Sequence, residues 1–379
     1  MTKTAGLSAS AFGNVYAEKK ILVTGHTGFK GAWLCEWLLA LGADVTGYSI
    51  DVEEPSLFRQ LKLESRLTDR RGDVRDLPLV SKVVGELAPD FIFHLAAQPL
   101  VRLSYTDPVG TFTTNVTGSI NVMEAVRVKP PPHRCAVVMV TTDKVYENRE
   151  IEYSYRETDP LGGRDPYSAS KAAAEITIQS YRKSFFSNRD GQVALASARA
   201  GNVIGGGDWA LDRLLPDCVR ALQRGAKIAV RNRNATRPWQ HVLDPLSGYL
   251  TLGAALWKSF DDKVGADQIR STFNFGPNPE SNRTVGNVAD EVVKNWPGTW
   301  FDQSESEAPH EAGLLNLNIE KAAQILAWRP VWEFAEAVKR TISWYRDAGN
   351  KADPAELTRK QIADYQADAA KSALNWAKP

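Results

Sequence analysis

The chain has 379 residues, with 46 lysines and arginines against 45 aspartates and glutamates, a formal net charge of +1. This balance gives no overall attraction to polyanions, so we expect neither nucleic acid nor a membrane as a partner. No apolar run has the length of a membrane span, and residues 1–19 do not read as a secretion signal. Cys35, Cys135 and Cys218 form no C-x-x-C pair. We therefore expect a cytoplasmic protein without a metal site and with room for two domains.

A strand, a glycine-rich turn and a helix follow one another between residues 20 and 42. Such a turn lets the backbone approach a dinucleotide pyrophosphate, and the N-terminus of the helix favours its negative charge. Three glycines alone are a weak indicator, so the prediction depends on the strands and helices after the turn. Lys30 could reach a phosphate or help to shape the substrate side. The residues assigned here to the cofactor are Gly25, Thr27, Gly28, Phe29, Lys30 and Gly31.

A second predicted strand ends at Asp51, about 20 residues after the last glycine of the turn. An acid at this distance can accept hydrogen bonds from the ribose hydroxyls of NAD, and it repels a 2′-phosphate. The spacing therefore favours NAD over NADP, although a turn aspartate without a ligand explains it equally well. Four arginines downstream weaken the inference if one of them reaches the ribose. They are Arg59, Arg66, Arg70 and Arg71.

Strands and helices continue to alternate as far as residue 199. Residues 71–75 predict a short third strand ending at Asp73, which with Val74 is assigned to the adenine side of the cofactor. Later strands are predicted at 91–95, 136–140 and 192–199, with helices at 77–87, 111–128 and 172–184. The alternation predicts an α/β fold with a doubly wound parallel (Rossmann) sheet, whose ligands bind beyond the carboxyl ends of the strands. The residues at such ends are Gly25, Asp51, Leu95, Ala96, Ala97 and Asp143.

The pattern changes at Asn202, where a glycine-rich loop introduces short strands mixed with helices. We expect residues 1–199 to form an NAD-binding Rossmann domain with an N-terminal arm. Residues 200–379 are expected to form mainly a smaller, mixed α/β substrate-binding domain, with the chain crossing between the two. Residues 352–378 are predicted to be a helical tail.

Tyr167 and Lys171 are four residues apart on a predicted helix, so they share one face. A phenol has a pKa near 10 and is a poor base at neutral pH. A nearby ammonium and a positive nicotinamide ring favour the phenolate, which can then accept a hydroxyl proton. The spacing is common, and a packed tyrosine beside a solvated lysine is its usual meaning. The position after five strands of a nucleotide fold is what favours catalysis here.

Three motifs together resemble the extended short-chain dehydrogenase/reductase family, in its nucleotide-sugar-modifying branch. They are the turn at residues 25–31, the Leu95-Ala-Ala-Gln98 strand end and the pair Tyr167 and Lys171. The resemblance extends over residues 20–344. The triplet at residues 142–144 is Thr-Asp-Lys, which is similar to the triplet of the hexose 4,6-dehydratases. Epimerases of this branch usually carry Ser or Thr and a small residue at the same positions.

This resemblance implies a lyase that retains NAD, oxidises C4 of a sugar, eliminates water across C5 and C6, and returns the hydride to C6. A CDP-sugar is the implied substrate, and surface-polysaccharide deoxysugar synthesis the implied context; the cytidine comes from the resemblance alone. A UDP-N-acetylhexosamine dehydratase, a nucleotide-sugar epimerase and a non-catalytic NAD-binding regulator are the alternatives. Because both Tyr167 and Lys171 are present, the regulator is the weakest of these.

The resemblance also implies roles for individual residues. Tyr167 takes the C4 hydroxyl proton, Lys171 lowers its pKa and holds the ribose, and Thr142 orients the C4 oxygen. Asp143 is the acid for the C6 hydroxyl. Lys144 stands where many relatives have a glutamate that takes the C5 proton. Either its amine is neutral in the complex, or Asp143 handles both protons and Lys144 stabilises the enolate.

The candidate substrate-binding residues are Gln98, Asn202, Arg213, Arg237 and His241. Arginine suits a pyrophosphate because it makes bidentate contacts, although a solvated surface position is the alternative for each arginine. Members of the family pair through two helices, here those after Asn115 and Tyr167. The resemblance therefore implies a homo-oligomer, either a dimer or a dimer of dimers.

Overall fold

The computed structural model describes residues 10–52, 54–188, 191–210, 213–304 and 314–378. The strands in these ranges are β1 Lys20–Thr24, β2 Asp44–Ser49, β3 Thr68–Arg71, β4 Phe91–His94, β5 Cys135–Val140, β6 Ser154–Tyr155, β7 Val193–Ala200, β8 Val203–Ile204, β9 Ile228–Val230, β10 Thr236–Pro238, β11 Gln240–His241, β12 Thr272–Phe275, β13 Asn282–Thr284, β14 Trp300–Asp302 and β15 Asn316–Leu317. The α-helices are α1 Phe29–Ala40, α2 Leu57–Gln60, α3 Leu77–Leu87, α4 Val101–Thr106, α5 Pro108–Phe112, α6 Gly118–Val128, α7 Pro166–Ser184, α8 Leu214–Gln223, α9 Leu243–Lys258, α10 Ala266–Ile269, α11 Val285–Asn295, α12 Glu320–Leu326, α13 Phe334–Gly349 and α14 Pro354–Lys371.

Seven strands form one parallel sheet in the order β12-β7-β5-β4-β1-β2-β3. The chain runs outward from β1 to β3 and then returns to the other side of β1, so the order reverses between β1 and β4. Ligands of doubly wound sheets bind at such a reversal, outside the carboxyl ends of the strands. The prediction of a doubly wound parallel sheet is confirmed.

The central strands are apolar and buried because helices cover both faces of the sheet. Every residue of β5 and β7 is buried, and so is most of α1. Helix α1, which was predicted to follow the glycine turn, begins at Phe29, inside that turn. This start brings the first turn of α1 to the carboxyl ends of β1 and β2.

The two ends of the described chain close over α1. The ring of Phe12 stacks on that of Trp376, with centroids 4.9 Å apart, and Trp376 also meets Trp37 of α1 at 6.1 Å. Helix α14 is tied to α1 by Arg359, whose Nε lies 2.8 Å from a carboxylate oxygen of the buried Glu36. The tail is helical as predicted, and it stabilises the helix that carries the glycine turn.

The third strand differs from the sequence-based prediction. It spans Thr68–Arg71 and ends before Asp73, which was expected to be its last residue. Gly72 still donates to the carbonyl of Ser49, but the Tyr48 hydroxyl then donates to the Asp73 carbonyl at 2.9 Å and turns the chain away. A side-chain hydrogen bond to the backbone competes here with the strand ladder.

Residues beyond 199 contribute to the main sheet, as the expected chain crossing requires. Strand β7 spans the predicted boundary, and β12 forms the edge next to β7. Three small two-stranded sheets, β8 with β11, β9 with β14 and β10 with β13, lie with α8, α11 and α13 in the second half. One apolar core joins both halves, so the division into two domains stays a prediction. In the described ranges no helix is long and apolar enough to cross a membrane.

Candidate active site

The glycine turn is shaped so that only glycine fits at two of its positions. Gly25 has φ +74°, and a Cβ there would lie 2.7 Å from the backbone nitrogen of Ala96. A Cβ on Gly31 would overlap the carbonyl oxygen of Gly25. No side chain caps the first turn of α1, since Gly28 is its N-cap residue. The turn therefore offers uncapped N–H groups and a close backbone approach, which fit a dinucleotide pyrophosphate.

The other predicted cofactor residues of the turn have different surroundings. The Thr27 hydroxyl bonds that of Ser49 at 2.9 Å and ties the turn to β2. The ring of Phe29 faces away from the phosphate cradle, since a Cβ on Gly205 would lie 3.0 Å from it. Phe29 therefore offers its backbone to this site, while its side chain packs against the core.

Asp51 is exposed just beyond the carboxyl end of β2, where an acid for the ribose was predicted. The four arginines that could have favoured NADP each lie within 4.0 Å of a carboxylate oxygen. The pairs are Arg59 with Glu54 and Glu64, Arg66 with Glu36, Arg70 with Glu86, and Arg71 with Asp69. Arg71 also donates to the carbonyl oxygen of Ile50, the residue before Asp51, at 3.0 Å. The expectation that Asp51 selects a ribose without a 2′-phosphate therefore stays a prediction.

The adenine side and the β4 end complete the predicted cofactor site. Side-chain hydrogen bonds from Arg75 hold the pKa of Asp73 below its usual range, so its carboxylate is already occupied. Val74 is buried against Gly118. The half-buried residues after β4 are Leu95, Ala96 and Ala97, and the Ala96 N–H donates to the Thr24 hydroxyl at 3.3 Å.

The predicted catalytic residues meet between the end of β5 and the start of α7. Thr142 caps a single 3₁₀ turn, Asp143–Val145, and its hydroxyl donates to an Asp143 carboxylate oxygen at 2.9 Å. Asp165 caps α7, because its carboxylate accepts from the Ser168 N–H at 2.9 Å. This cap and Pro166 begin the helix so that Tyr167 turns towards Thr142.

Burial dominates the protonation of this cluster. It raises the pKa of Asp143, against the opposing charges of Lys144, Lys30 and Arg237, so the carboxyl keeps its proton to a higher pH than usual. It also raises the pKa of Tyr167 to about 12, although a hydrogen bond with Thr142 lowers it. In this state Tyr167 is a neutral phenol at pH 7.

Lys171 does not donate to the phenol of Tyr167. Its ammonium lies 3.4 Å from the carbonyl oxygen of Val140, at the end of β5. Burial lowers the pKa of Lys171 to about 8, while the carboxylate of Glu175 one turn further along α7 raises it. The expected effect of this lysine on the phenol must therefore act through space and through a bound cofactor.

Lys144 has a different position from the rest of the cluster. It is half-buried and lines a cavity of about 620 Å³ together with Val101, Tyr146, Arg164 and Ser168. A cavity of this size can hold a sugar nucleotide moiety. The residues that line this cavity include Lys144 but none of Thr142, Asp143 and Tyr167, and Asp143 is buried.

Four of the five predicted substrate residues lie at or near the surface of the site. Arg213 pairs with Asp208 at 2.7 Å, and Arg237 is half-buried with its charge acting on Asp143. Asn202 is exposed after β7. The side-chain amide nitrogen of Gln98 donates to the Thr111 hydroxyl at 2.8 Å, so one of its hydrogens is already bonded within the protein.

The structure places His241, the fifth predicted substrate residue, inside the core, and its contact with the substrate stays a prediction. Its ring is fully buried between Trp33 and Trp332, with centroids 5.8 and 4.8 Å away. Burial lowers the pKa of His241 to about 3, so the ring is neutral at physiological pH. His241 is a core residue that joins α1 to the second half of the chain.

A family model described as GDP-mannose 4,6 dehydratase matches residues 22–341. The chain belongs to the GDP-mannose 4,6 dehydratase family. It is 42% identical over 358 residues to CDP-glucose 4,6-dehydratase of Salmonella typhimurium, covering 93% of this chain and 97% of that protein.

Solved structures of dehydratases and epimerases share the fold. A dTDP-glucose 4,6-dehydratase from Streptomyces venezuelae with NAD bound has a TM-score of 0.73 at 23% identity, covering 89% of this chain and 99% of that one. UDP-glucose 4-epimerase of Thermotoga maritima, solved with UDP-glucose, has a TM-score of 0.71 at 18% identity, covering 87% and 99%. The fold alone therefore does not separate dehydratases from epimerases.

Sequence reasoning missed a buried polar network beneath the catalytic cluster of this family member. Glu175 accepts from the Thr141 hydroxyl at 2.6 Å and from an Arg199 nitrogen at 2.8 Å. Arg199 also donates to the Tyr146 hydroxyl at 2.8 Å. The spacing of Glu175, four residues after Lys171 on the same helix face, is the signal that could have pointed to it.

Proposed function

We propose that the chain is a lyase that converts CDP-D-glucose to CDP-4-keto-6-deoxy-D-glucose with a retained NAD. The buried cluster of Thr142, Asp143 and Tyr167 at the carboxyl end of β5 carries this proposal, since it combines a base for oxidation with an acid for dehydration. The near-full-length similarity to a CDP-glucose 4,6-dehydratase supports the choice of substrate. The solved dehydratase with NAD supports the choice of cofactor.

The residues of the glycine turn would hold the pyrophosphate of NAD, and Asp51 would accept from its ribose hydroxyls. When bound, NAD supplies a hydride acceptor and later a hydride donor. Lys171 would donate to the ribose with an ammonium that already lies near Val140. Retention of the cofactor is expected from the chemistry, because the hydride taken from C4 returns to C6 of the same sugar.

Within the site, Tyr167 accepts the proton of the C4 hydroxyl as a phenolate, which the charge of Lys171 and a bound, positive nicotinamide ring would favour, while Thr142 orients that oxygen. The resulting ketone acidifies the hydrogen on C5. Asp143, buried and protonated to a raised pH, gives its proton to the C6 hydroxyl, which leaves as water. Arg213 and Arg237 carry positive charge next to the cluster and suit the two phosphates of the substrate.

Replacing Asp143 with asparagine is expected to stop the elimination step, because an amide cannot supply a proton to the leaving hydroxyl. Formation of the 4-keto-6-deoxy product should fall by about 10²- to 10⁴-fold. Normal product formation by D143N, followed by mass spectrometry, would remove Asp143 from the acid role.

The base that takes the C5 proton is either Lys144 or Asp143. The Lys144→Met variant, assayed in deuterium oxide, distinguishes them. If Lys144 is the base, both the rate of deuterium incorporation at C5 and the rate of turnover should be lower in the variant than in the wild type. Incorporation at the full wild-type rate in K144M would assign that proton to Asp143.

The substrate is tested by supplying purified enzyme with CDP-glucose and, separately, with UDP-N-acetylglucosamine, with no NAD added. We expect a dehydrated product, lighter by the mass of one water, from CDP-glucose only, and retained NAD makes added cofactor unnecessary. Turnover of only the UDP-sugar would overturn the choice of substrate. A product of unchanged mass would indicate an epimerase.

We also propose that the protein is a cytoplasmic homo-oligomer, a dimer or a dimer of dimers, serving O-antigen deoxysugar synthesis. Helices α4, α5 and α7 contact one another and carry exposed apolar side chains, including Tyr105, Val109 and Ile176. The three cysteines are buried free thiols, which fits a reducing compartment. A monomeric mass in light scattering would contradict the oligomer.

A further inference from the structure

The catalytic turn, residues 142–145, is held by a hydrogen bond on each side. Before the turn, the hydroxyl of Thr141 donates to one carboxylate oxygen of Glu175 at 2.6 Å. After the turn, the hydroxyl of Tyr146 accepts from a guanidinium nitrogen of Arg199 at 2.8 Å. Glu175 and Arg199 are themselves paired at 2.8 Å, so a single ion pair holds the turn at both ends.

The ion pair has further partners on the main sheet. The carboxylate oxygen of Glu175 that accepts from Arg199 also accepts from the Ser197 hydroxyl at 3.0 Å. The Tyr146 hydroxyl donates to the side-chain oxygen of Asn274 at 2.7 Å. All five residues are buried, and they lie on α7, β7 and β12 or directly beside the turn. The network is therefore anchored on rigid elements of the fold, which suits the support of a reacting group.

Helix α7 carries both the proposed base and the anchor of the turn. Tyr167, Lys171 and Glu175 follow one another at intervals of four residues, so they share one face of this helix. The Lys171 ammonium lies 3.4 Å from the carbonyl oxygen of Val140, the residue before Thr141. The chain leading into the turn is thus bonded to the same helix face that presents the phenol, which relates the position of the turn to that of the phenol.

We propose that Thr141 and Tyr146 are positioning residues whose hydroxyls hold the catalytic turn within reach of Tyr167. This inference rests on the proposed dehydratase function, in which Thr142 and Asp143 serve the C4 and C6 oxygens. Neither of the two flanking hydroxyls transfers a proton, and both act through the turn between them. A displacement of reacting groups by about 1 Å can cost about 10²-fold in rate, so loss of either hydrogen bond should be visible in kcat.

The Thr141→Val variant removes the first hydroxyl and leaves a side chain of similar size. We expect kcat for CDP-glucose to fall by about 10-fold with little change in KM, because the substrate phosphates are assigned to residues outside the turn. Thr141→Ser keeps a hydroxyl and should recover most of the lost kcat. Thr341→Val is the matched control, since Thr341 is a fully buried threonine of α13 whose hydroxyl donates to the Ala337 carbonyl at 2.8 Å.

The Tyr146→Phe variant tests the other side of the turn, and it should lower kcat in the same way. Rates are expressed per molecule of retained NAD, so that a loss of folded enzyme is not counted as a loss of kcat. A merely structural role for the two hydroxyls would reduce the yield of NAD-loaded enzyme and its unfolding midpoint, with kcat per loaded enzyme unchanged. That result in both T141V and Y146F would overturn the inference.

A second measurement needs no substrate. Amide hydrogen exchange of the NAD-loaded enzyme, followed by mass spectrometry, should be faster across residues 142–145 in T141V and Y146F than in the wild type or T341V. If the wild type fails to turn over CDP-glucose, the proposed function is wrong, but the exchange rates still show whether the two hydroxyls hold the turn. Wild-type exchange across these residues in both variants would overturn the inference.

Discussion

Replacing Tyr167 with phenylalanine is expected to lower kcat for CDP-glucose by about 10²- to 10⁴-fold. The phenol is the group next to Thr142 that can take the C4 hydroxyl proton, and without it the first oxidation has no base. The loss should fall on kcat, because the ring still fills its buried position. Steady-state product formation and the ultraviolet spectrum of the purified protein measure turnover and retained cofactor separately.

The matched control is Tyr16→Phe, which removes a buried tyrosine hydroxyl outside the site. That hydroxyl donates to the carbonyl of Leu250 and has no catalytic neighbour among the described residues. Y16F should keep wild-type turnover. A Y167F enzyme with kcat within a few-fold of wild type would show that another group is the base.

Replacing Glu175 with glutamine is expected to lower the free energy of unfolding by about 3–5 kcal/mol, because it leaves Arg199 buried without its counter-charge. The side chains of Arg199 and Glu175 are 4% and 2% exposed, and the charged nitrogen and oxygen are 2.8 Å apart. Burial alone would raise the pKa of Glu175, but Arg199, Thr141 and Ser197 hold it below its usual range. This contribution to stability is therefore present at neutral pH and is lost on acidification.

Urea unfolding measures this change, with the free energy of unfolding as the readout. The control is Asp261→Asn, which breaks an exposed pair with Arg134 and should leave the unfolding midpoint unchanged. A second variant, Glu175→Gln with Arg199→Met, removes the stranded charge and should be more stable than E175Q alone. If the double variant is no more stable, the cost in E175Q does not come from an unpaired arginine.

The amino-acid sequence by itself determined the fold and the turn positions that must be glycine. Apolar runs such as β5 become buried strands, and glycines at 25 and 31 are required by the backbone of the turn itself. The spacing of Tyr167 and Lys171 places both on one face of α7. These features depend on local periodicity and backbone geometry, which neighbouring residues specify.

Tertiary packing decided what residues far apart in the chain do to one another. Histidine is a side chain that often contacts substrates, but the rings of Trp33 and Trp332 enclose that of His241. Lys30 belongs to the cofactor turn, yet its ammonium lies 3.4 Å from the hydroxyl oxygen of Tyr249. The side-chain partners in these cases are distant in sequence, as far as 219 residues between Lys30 and Tyr249, so no local pattern specifies them. Burial and charge pairing exist only once the sheet brings these segments together.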